Sequence, residues 1–246
     1  MQSLRSQKSR FMHIEQHFTG SKIIRDLVLG VSDGLTVPFA LAAGLAGAEL
    51  NHWTIIIAAL AEIAAGSIAM GLGGYLATKS EADTYSTELE REYRETEELP
   101  HHEEEEVREV FSNYGLNGET LESAVHAIIS NKEAWVKFMM REELGLEYVD
   151  PKRALPSGLT IGGAYIAGGI FPLLPYFSNQ ISTHQALLIS MIITLMALGL
   201  FGWVKAKFTG VNKIRSAFQT VIVGGIASGV AFGVAKLITN LAPHPY

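Results

Sequence analysis

Charge is nearly absent from five long stretches of the chain and dense in one other, and this unevenness predicts the layout. Between Leu27 and Ala48 the one charged residue is Asp33, and between Trp53 and Thr78 it is Glu62. Ala154 to Phe177 and Ala186 to Val204 carry no charge, and Phe218 to Leu241 carries only Lys236. Each run reaches or approaches the roughly 20 residues that an α-helix needs to cross a bilayer. Five such helices in 246 residues leave too little polar surface for a soluble protein. The expectation is an all-α, polytopic membrane protein with five transmembrane helices. Residues 1–25 form an N-terminal segment, 26–78 hold spans one and two, 79–152 form a polar helical module, and 153–246 hold spans three to five.

Basic residues orient these spans. The N-terminal segment carries Arg5, Lys8, Arg10, Lys22 and Arg25, and the link between spans four and five carries Lys205, Lys207, Lys213 and Arg215. The links GAELNHW and PYFSNQISTHQ contain neither Lys nor Arg. Positive charge stays on the cytosolic side, so the N-terminus and the module are expected in the cytosol and the C-terminus in the opposite compartment. No apolar core precedes Arg25, so the first span is expected to direct insertion rather than a cleaved signal. The chain has no cysteine, which excludes disulfides and thiolate metal ligands.

Composition changes sharply between Lys79 and Lys152. That segment has a net charge of −12, whereas the remainder has +6, against −6 for the whole chain. A surface this acidic disfavours nucleic acid and anionic lipid and favours cations. The pattern reads as helices: SEADTYSTELEREYRETEEL continuing span two, then HHEEEEVREVFSNYG, ETLESAVHAIISN and KEAWVKFMMREELGLE. Gly115 and Asn117-Gly118 read as helix stops, and Asp150-Pro151 as the return toward the membrane. Glu88, Glu92 and Glu95 share one helical face, and Glu103 and Glu106 share another. Like charges at that spacing repel, and a bound dication reverses the cost. Met139 and Met140 stand four and three residues before Glu143, so thioether and carboxylate can converge; that mixture suits a borderline ion such as Fe²⁺ better than Mg²⁺ or Ca²⁺. A solvated acidic face, with FMM packed beside Trp135, is the alternative reading.

Carboxylates inside spans carry more weight, because an intramembrane ionisable group is costly and normally faces a bundle interior or a water-filled path. Asp26 and Asp33 lie seven residues apart, two turns along one stripe, with Asp33 the deeper. Span two returns through Glu62 and Met70, and the antiparallel arrangement brings Met70 to a depth near Asp33, with Glu62 farther across. Oxygen and sulfur ligands would thus form a ladder. Pro38 deprives a carbonyl near Gly34 of its donor and bends the helix beside Asp33. Small residues recur at every fourth position in span five (Gly225, Gly229, Gly233) and span two (Ala65, Ala69, Gly73), as in close helix contacts.

The runs RDLVLGVSDGLTVPFALAAGLAGA, AEIAAGSIAMGLGGYLATKSEADTY, FMMREELGLE and FGVAK resemble the vacuolar iron transporter family, its plant members most closely. The resemblance extends from about His17 to Lys236. It implies a homodimeric exchanger in the vacuolar membrane that moves cytosolic Fe²⁺ into the vacuole against protons, along a path lined by the first span of each subunit. It also implies a cytosolic helical metal-binding module between spans two and three. Carried over by residue, it implies that Asp33 and Met70 are membrane ligands, with Asp26 and Glu62 as supporting positions. In the module it implies Glu92, Glu95, Glu103, Glu106, Met139 and Glu143, with Met140 adjacent; which two of the four glutamates at 103–106 bind stays open.

The sequence-level expectation is therefore a transporter and not an enzyme, without a prosthetic group. Its partners would be Fe²⁺ (with Mn²⁺, Co²⁺ or Zn²⁺ rejected weakly), protons, the bilayer and a second copy of the chain, and not nucleic acid. Two rivals are a membrane-anchored metal sensor without flux and a broad Mn²⁺ or divalent-metal exchanger. A ferroxidase is set aside, because diiron sites in four-helix bundles pair Glu with Glu-x-x-His motifs and no such motif is expected in this chain.

Overall fold

The structure, a computed structural model, describes residues 20–241, with side chains from residue 22. The basic residues Arg5, Lys8 and Arg10, and the end of the chain from 242, lie outside the described residues. The described chain is helical and has no strand. Five of its helices are long and apolar enough to cross a membrane. They fall into α1 (Gly20–Gly47), α2 (His52–Glu98), α6 (Ala154–Leu173), α7 (Thr183–Thr209) and α8 (Lys213–Leu241), with the short helices α3 (Pro100–Asn113), α4 (Gly118–Ile129) and α5 (Lys132–Phe138) between α2 and α6. The described residues fall into two compact units: those up to 70 together with those from 160, and residues 71–159.

In the first unit α1 packs against α7 and α8, and α7 against α8. α1 runs on through Pro38, which is buried. Backbones approach closely where side chains are small: a Cβ at Gly34 would stand 2.2 Å from the carbonyl oxygen of Tyr165, and one at Gly30 2.3 Å from that of Ile161. Glycine at both positions is what lets α6 lie directly on α1. An apolar core formed by Ala42, Ile55, Ile56, Ala59, Ile63, Leu173, Tyr176 and Ala186 holds the α1–α2 turn against the α6–α7 turn. α7 starts on a capping box, Ser182 with Gln185, and ends on Gly210 with a left-handed φ of 72°, the helix signals expected of those residues. Outward positions of α7 and α8, among them Ile192, Met196, Leu200, Ile226, Val230 and Leu237, are large and exposed. The small polar side chains Ser190, Thr194, Ser216, Thr220 and Ser228 are buried. An apolar outside around a polar-lined inside is the arrangement a bilayer solvent selects.

The second unit is built the other way round. Val107, Val125, Trp135 and Met139 form its buried core, with Phe111, Leu121, Ile128, Ile129 and Phe138 against it. Most acidic side chains lie on the outside, and Glu92 and Glu103 are buried. Asn131 caps α5 by accepting from the Ala134 amide at 3.1 Å, a contact worth about 1 kcal/mol. α5 then widens into a π-helical turn over Met139–Glu143, with the Leu144 amide donating to the Met139 carbonyl at 3.1 Å. Such turns recur at functional sites because the extra residue re-aims the side chains. The segment Asn117-Gly118 does not stop a helix. It starts α4, with Asn117 extended ahead of the first turn and Gly118 at φ 56°. Gly115, at φ 89°, marks the preceding stop. Two Glu-x-x-His strings do occur, Glu49 to His52 and Glu98 to His101. Each straddles a break between helices, so neither presents both side chains on one helical face.

Candidate functional site

Two clusters of acids occupy the two units. In the membrane unit, α1 supplies Asp26 and Asp33. Asp26 is buried, with the Arg25 guanidinium 3.7 Å away. Asp33 is half-buried one turn before Pro38 and beside Gly34. α2 supplies Glu62 and Met70, both half-buried. α6 adds a residue that the sequence did not single out. Tyr165, buried among α1, α2 and α6, donates its hydroxyl to Glu62 Oε1 at 2.5 Å and lies within electrostatic reach of Asp33. Its backbone rests against Gly34 while its ring reaches Glu62, so one side chain spans the step between the two carboxylates. Gly66, one turn beyond Glu62, makes the room. A Cβ there would meet the Tyr165 hydroxyl at 2.6 Å and Glu62 Oε1 at 2.8 Å. The second oxygen of Glu62 is buried without a hydrogen-bond partner among the described residues. A lone orphan carboxylate oxygen in an apolar setting is costly unless it holds a proton or a cation.

In the acidic unit the helices bring five glutamates within mutual electrostatic reach: Glu92 and Glu95 from α2, Glu103 and Glu106 from α3, and Glu143 from the π-helical turn. Glu92 is 1% and Glu103 3% exposed. Burial, reinforced by the neighbouring carboxylates and opposed by Arg91, pushes both carboxyls from an ordinary 4.5 up to about 7. Glu143, the most open of the five, is raised as well, by partial withdrawal from water and then by Glu106. One oxygen each of Glu92 and Glu103 is buried without a hydrogen-bond partner among the described residues.

The run HHEEEEV sorts itself by ion pairing. Glu104 and Glu105 turn to Arg108, at 2.7 and 2.6 Å, and Arg108 also binds Glu122 of α4 at 3.1 Å. Glu103 and Glu106 face the other way, and His102 stands 3.4 Å from Glu106. Met139 and Met140 are both fully buried. Met139 belongs to the apolar core beside Trp135 and Val107, one turn along α3 from Glu103. Among the described residues, no group of three or more His, Asp and Glu side chains is arranged to hold a metal ion. A cation shared by these carboxylates therefore requires side chains to draw together around it.

The VIT family profile matches residues 24–236, from just ahead of Asp26 to the last turns of α8. Vacuolar iron transporter 1 of Arabidopsis thaliana is 51% identical over 93% of this chain and 91% of its own length. Vacuolar iron transporter 2 of Oryza sativa subsp. japonica is 50% identical over 93% of each chain. Protein CCC1 of Saccharomyces cerevisiae is 37% identical over 88% of this chain and 69% of its own. Identity of this extent over nearly the whole chain places the protein in the VIT family.

Proposed function

We propose that this protein moves cytosolic Fe²⁺ across the vacuolar membrane into the vacuole in exchange for protons, as a homodimer whose path runs between the first helices of the two subunits. The observation that carries the reading is the 50–51% identity along 93% of the chain with proteins named vacuolar iron transporters. The geometry supports it with chemistry of the right kind. Asp33 offers a hard oxygen and Met70 a soft sulfur, a pair that prefers a borderline dication over Mg²⁺ or Ca²⁺ while discriminating weakly against Mn²⁺, Co²⁺ and Zn²⁺. A carboxylate must be deprotonated to hold metal, so a proton arriving from an acidic lumen and the metal displace one another at Asp33. Glu62, fixed by Tyr165 and with one oxygen unpartnered, is a second acid able to take that proton.

The acidic unit, on the cytosolic side with the N-terminus, captures the ion. Glu92, Glu95, Glu103, Glu106 and Glu143 supply oxygens, and Met139 and Met140 supply sulfurs at its buried edge. Capture from the cytosol and transfer across the membrane are separate tasks performed by separate residues. Purified protein in liposomes with an acidic interior should accumulate Fe²⁺ faster than in liposomes without a gradient, and Mn²⁺, Co²⁺ and Zn²⁺ should compete. Fe²⁺ binding without any accumulation would instead indicate a metal sensor, and preference for Mn²⁺ a broader exchanger.

A further inference from the structure

Arg91 stands inside the acidic cluster rather than at its margin. Its guanidinium binds Glu88 at 3.0 Å, Glu95 at 3.1 Å and approaches Glu92 to 3.7 Å. Its charge also reaches Glu103 on α3 and Glu143 on the π-helical turn. One guanidinium is therefore felt by four of the five glutamates proposed to bind metal, and by Glu88 beside them. Two of those four, Glu92 and Glu103, are almost wholly buried, and each keeps an oxygen without a hydrogen-bond partner. Buried anionic oxygens that no protein donor satisfies point to a ligand that would satisfy them.

We propose that Arg91 is a displaceable counter-cation: its guanidinium holds the Glu88, Glu92 and Glu95 carboxylates while the cluster has no metal, and leaves them when a dication binds. The inference rests on the reading of the acidic unit as a metal site. Arginine suits the task, since it never gives up its charge and its planar fork engages more than one carboxylate at once. With 41% of the side chain exposed, a long flexible stem can swing to solvent without unpacking the unit. Glu95 is bound to Arg91 and cannot offer the same oxygen to a metal at the same time. This accounts for a cluster of carboxylates that is not yet arranged as a coordination shell. Arg91 then sets the affinity: it keeps the site from closing on scarce or wrong cations, and lets the ion go when the carboxylates are reclaimed. Arg108 provides a built-in contrast, because it carries the same charge on α3 but is committed to Glu104, Glu105 and Glu122.

The test is Mn²⁺ titration of the full-length protein in detergent by calorimetry, with thermal unfolding in excess chelator alongside. Arg91→Gln should bind Mn²⁺ about tenfold more tightly and unfold at lower temperature without metal. Arg91→Lys, which keeps the charge but loses the fork, should lie between the parent and Arg91→Gln in both. Arg108→Gln should leave the affinity within about twofold, because that guanidinium is held by Glu104, Glu105 and Glu122 and pairs with none of the five glutamates. A gain in affinity is not the signature of structural damage. Unchanged or weaker binding by Arg91→Gln overturns the proposal, as does equal tightening by Arg108→Gln, which would reduce the effect to net charge. A titration of the parent unaltered by changing Glu92, Glu95, Glu103 and Glu106 together to Gln would remove the metal site itself, and the role of Arg91 with it.

Discussion

Glu62 in the membrane unit and Glu92 in the acidic unit are both glutamates with one buried oxygen left unpartnered, and their surroundings answer that problem in opposite ways. Glu62 is met by a neutral donor, the Tyr165 hydroxyl at 2.5 Å, with Gly66 clearing the space. Glu92 is met by more negative charge from Glu95, Glu103 and Glu143, and by the cation Arg91 at 3.7 Å. A neutral donor satisfies one carboxylate oxygen without bringing a countercharge. Burial, and after it the crowd of like charges, raises the Glu92 and Glu103 carboxyls toward neutral pH and makes a dication the natural relief. The proposed function assigns the same residue type to proton exchange in one unit and to metal capture in the other.

The sharpest way to break this division is to remove the acids of each unit in turn. Asp33→Ala should reduce gradient-driven Fe²⁺ uptake in proteoliposomes to background while Fe²⁺ binding in detergent persists. Uptake at the parent rate would take Asp33 out of the path. Replacing Glu92, Glu95, Glu103 and Glu106 by Gln should do the converse: the high-affinity isotherm disappears, while slow uptake survives at saturating Fe²⁺. An unchanged isotherm would dissolve the contrast between the units.

A smaller effect is expected at the tyrosine. Tyr165→Phe removes one hydrogen bond to a carboxylate, worth roughly 1.5 kcal/mol and hence about tenfold in transport rate. Gly66→Ala should act in the same direction by pushing the hydroxyl and carboxylate apart. A Tyr165→Phe protein with normal rate and an unaltered pH profile would mean that the pair is only packing.

The smallest effect is thermal. Glu92 and Glu103 are held near 7 in the folded chain against 4.5 ordinarily, so the folded state keeps protons that the unfolded chain has released. Their contribution to stability is complete below pH 4.5 and is lost as pH rises through 7. In chelator, the Tm of the parent should fall between pH 5 and pH 8 by roughly 5 °C more than that of the Glu92→Gln, Glu103→Gln double variant. Saturating Mn²⁺ should restore the Tm at pH 8 in the parent and not in the variant. Equal pH slopes would show that burial of these acids costs the fold nothing.

Much of this was legible in the chain because the signals are local. The five spans follow from runs of apolar residues, and α3, α4 and α5 follow from their periodicity and breakers. What was not legible depended on neighbours distant in sequence. Tyr165 is one aromatic in an apolar run, and only the close approach of α6 to Gly34 and Gly66 gives its hydroxyl a partner 103 positions away. Spacing could not sort the glutamates at 103–106; in the structure Arg108 holds Glu104 and Glu105 and bridges to Glu122 of α4, while Glu103 and Glu106 face away from it. Arg91 has helix-surface partners at i−3 and i+4, Glu88 and Glu95. Its reach to α3 and the π-helical turn appears only once these pack beside α2. Met139 stood as a candidate ligand by spacing to Glu143, and packing puts it in the apolar core as well.

The central claim is that an acid inside the bilayer trades one dication for protons, and reciprocal flux tests it most directly. Proteoliposomes of equal internal and external pH, loaded with a pH-sensitive dye, should turn alkaline inside as added Fe²⁺ enters, and the Asp33→Ala protein should show neither change. Fe²⁺ entry with no movement of protons, or proton movement that survives the loss of Asp33, would contradict the account.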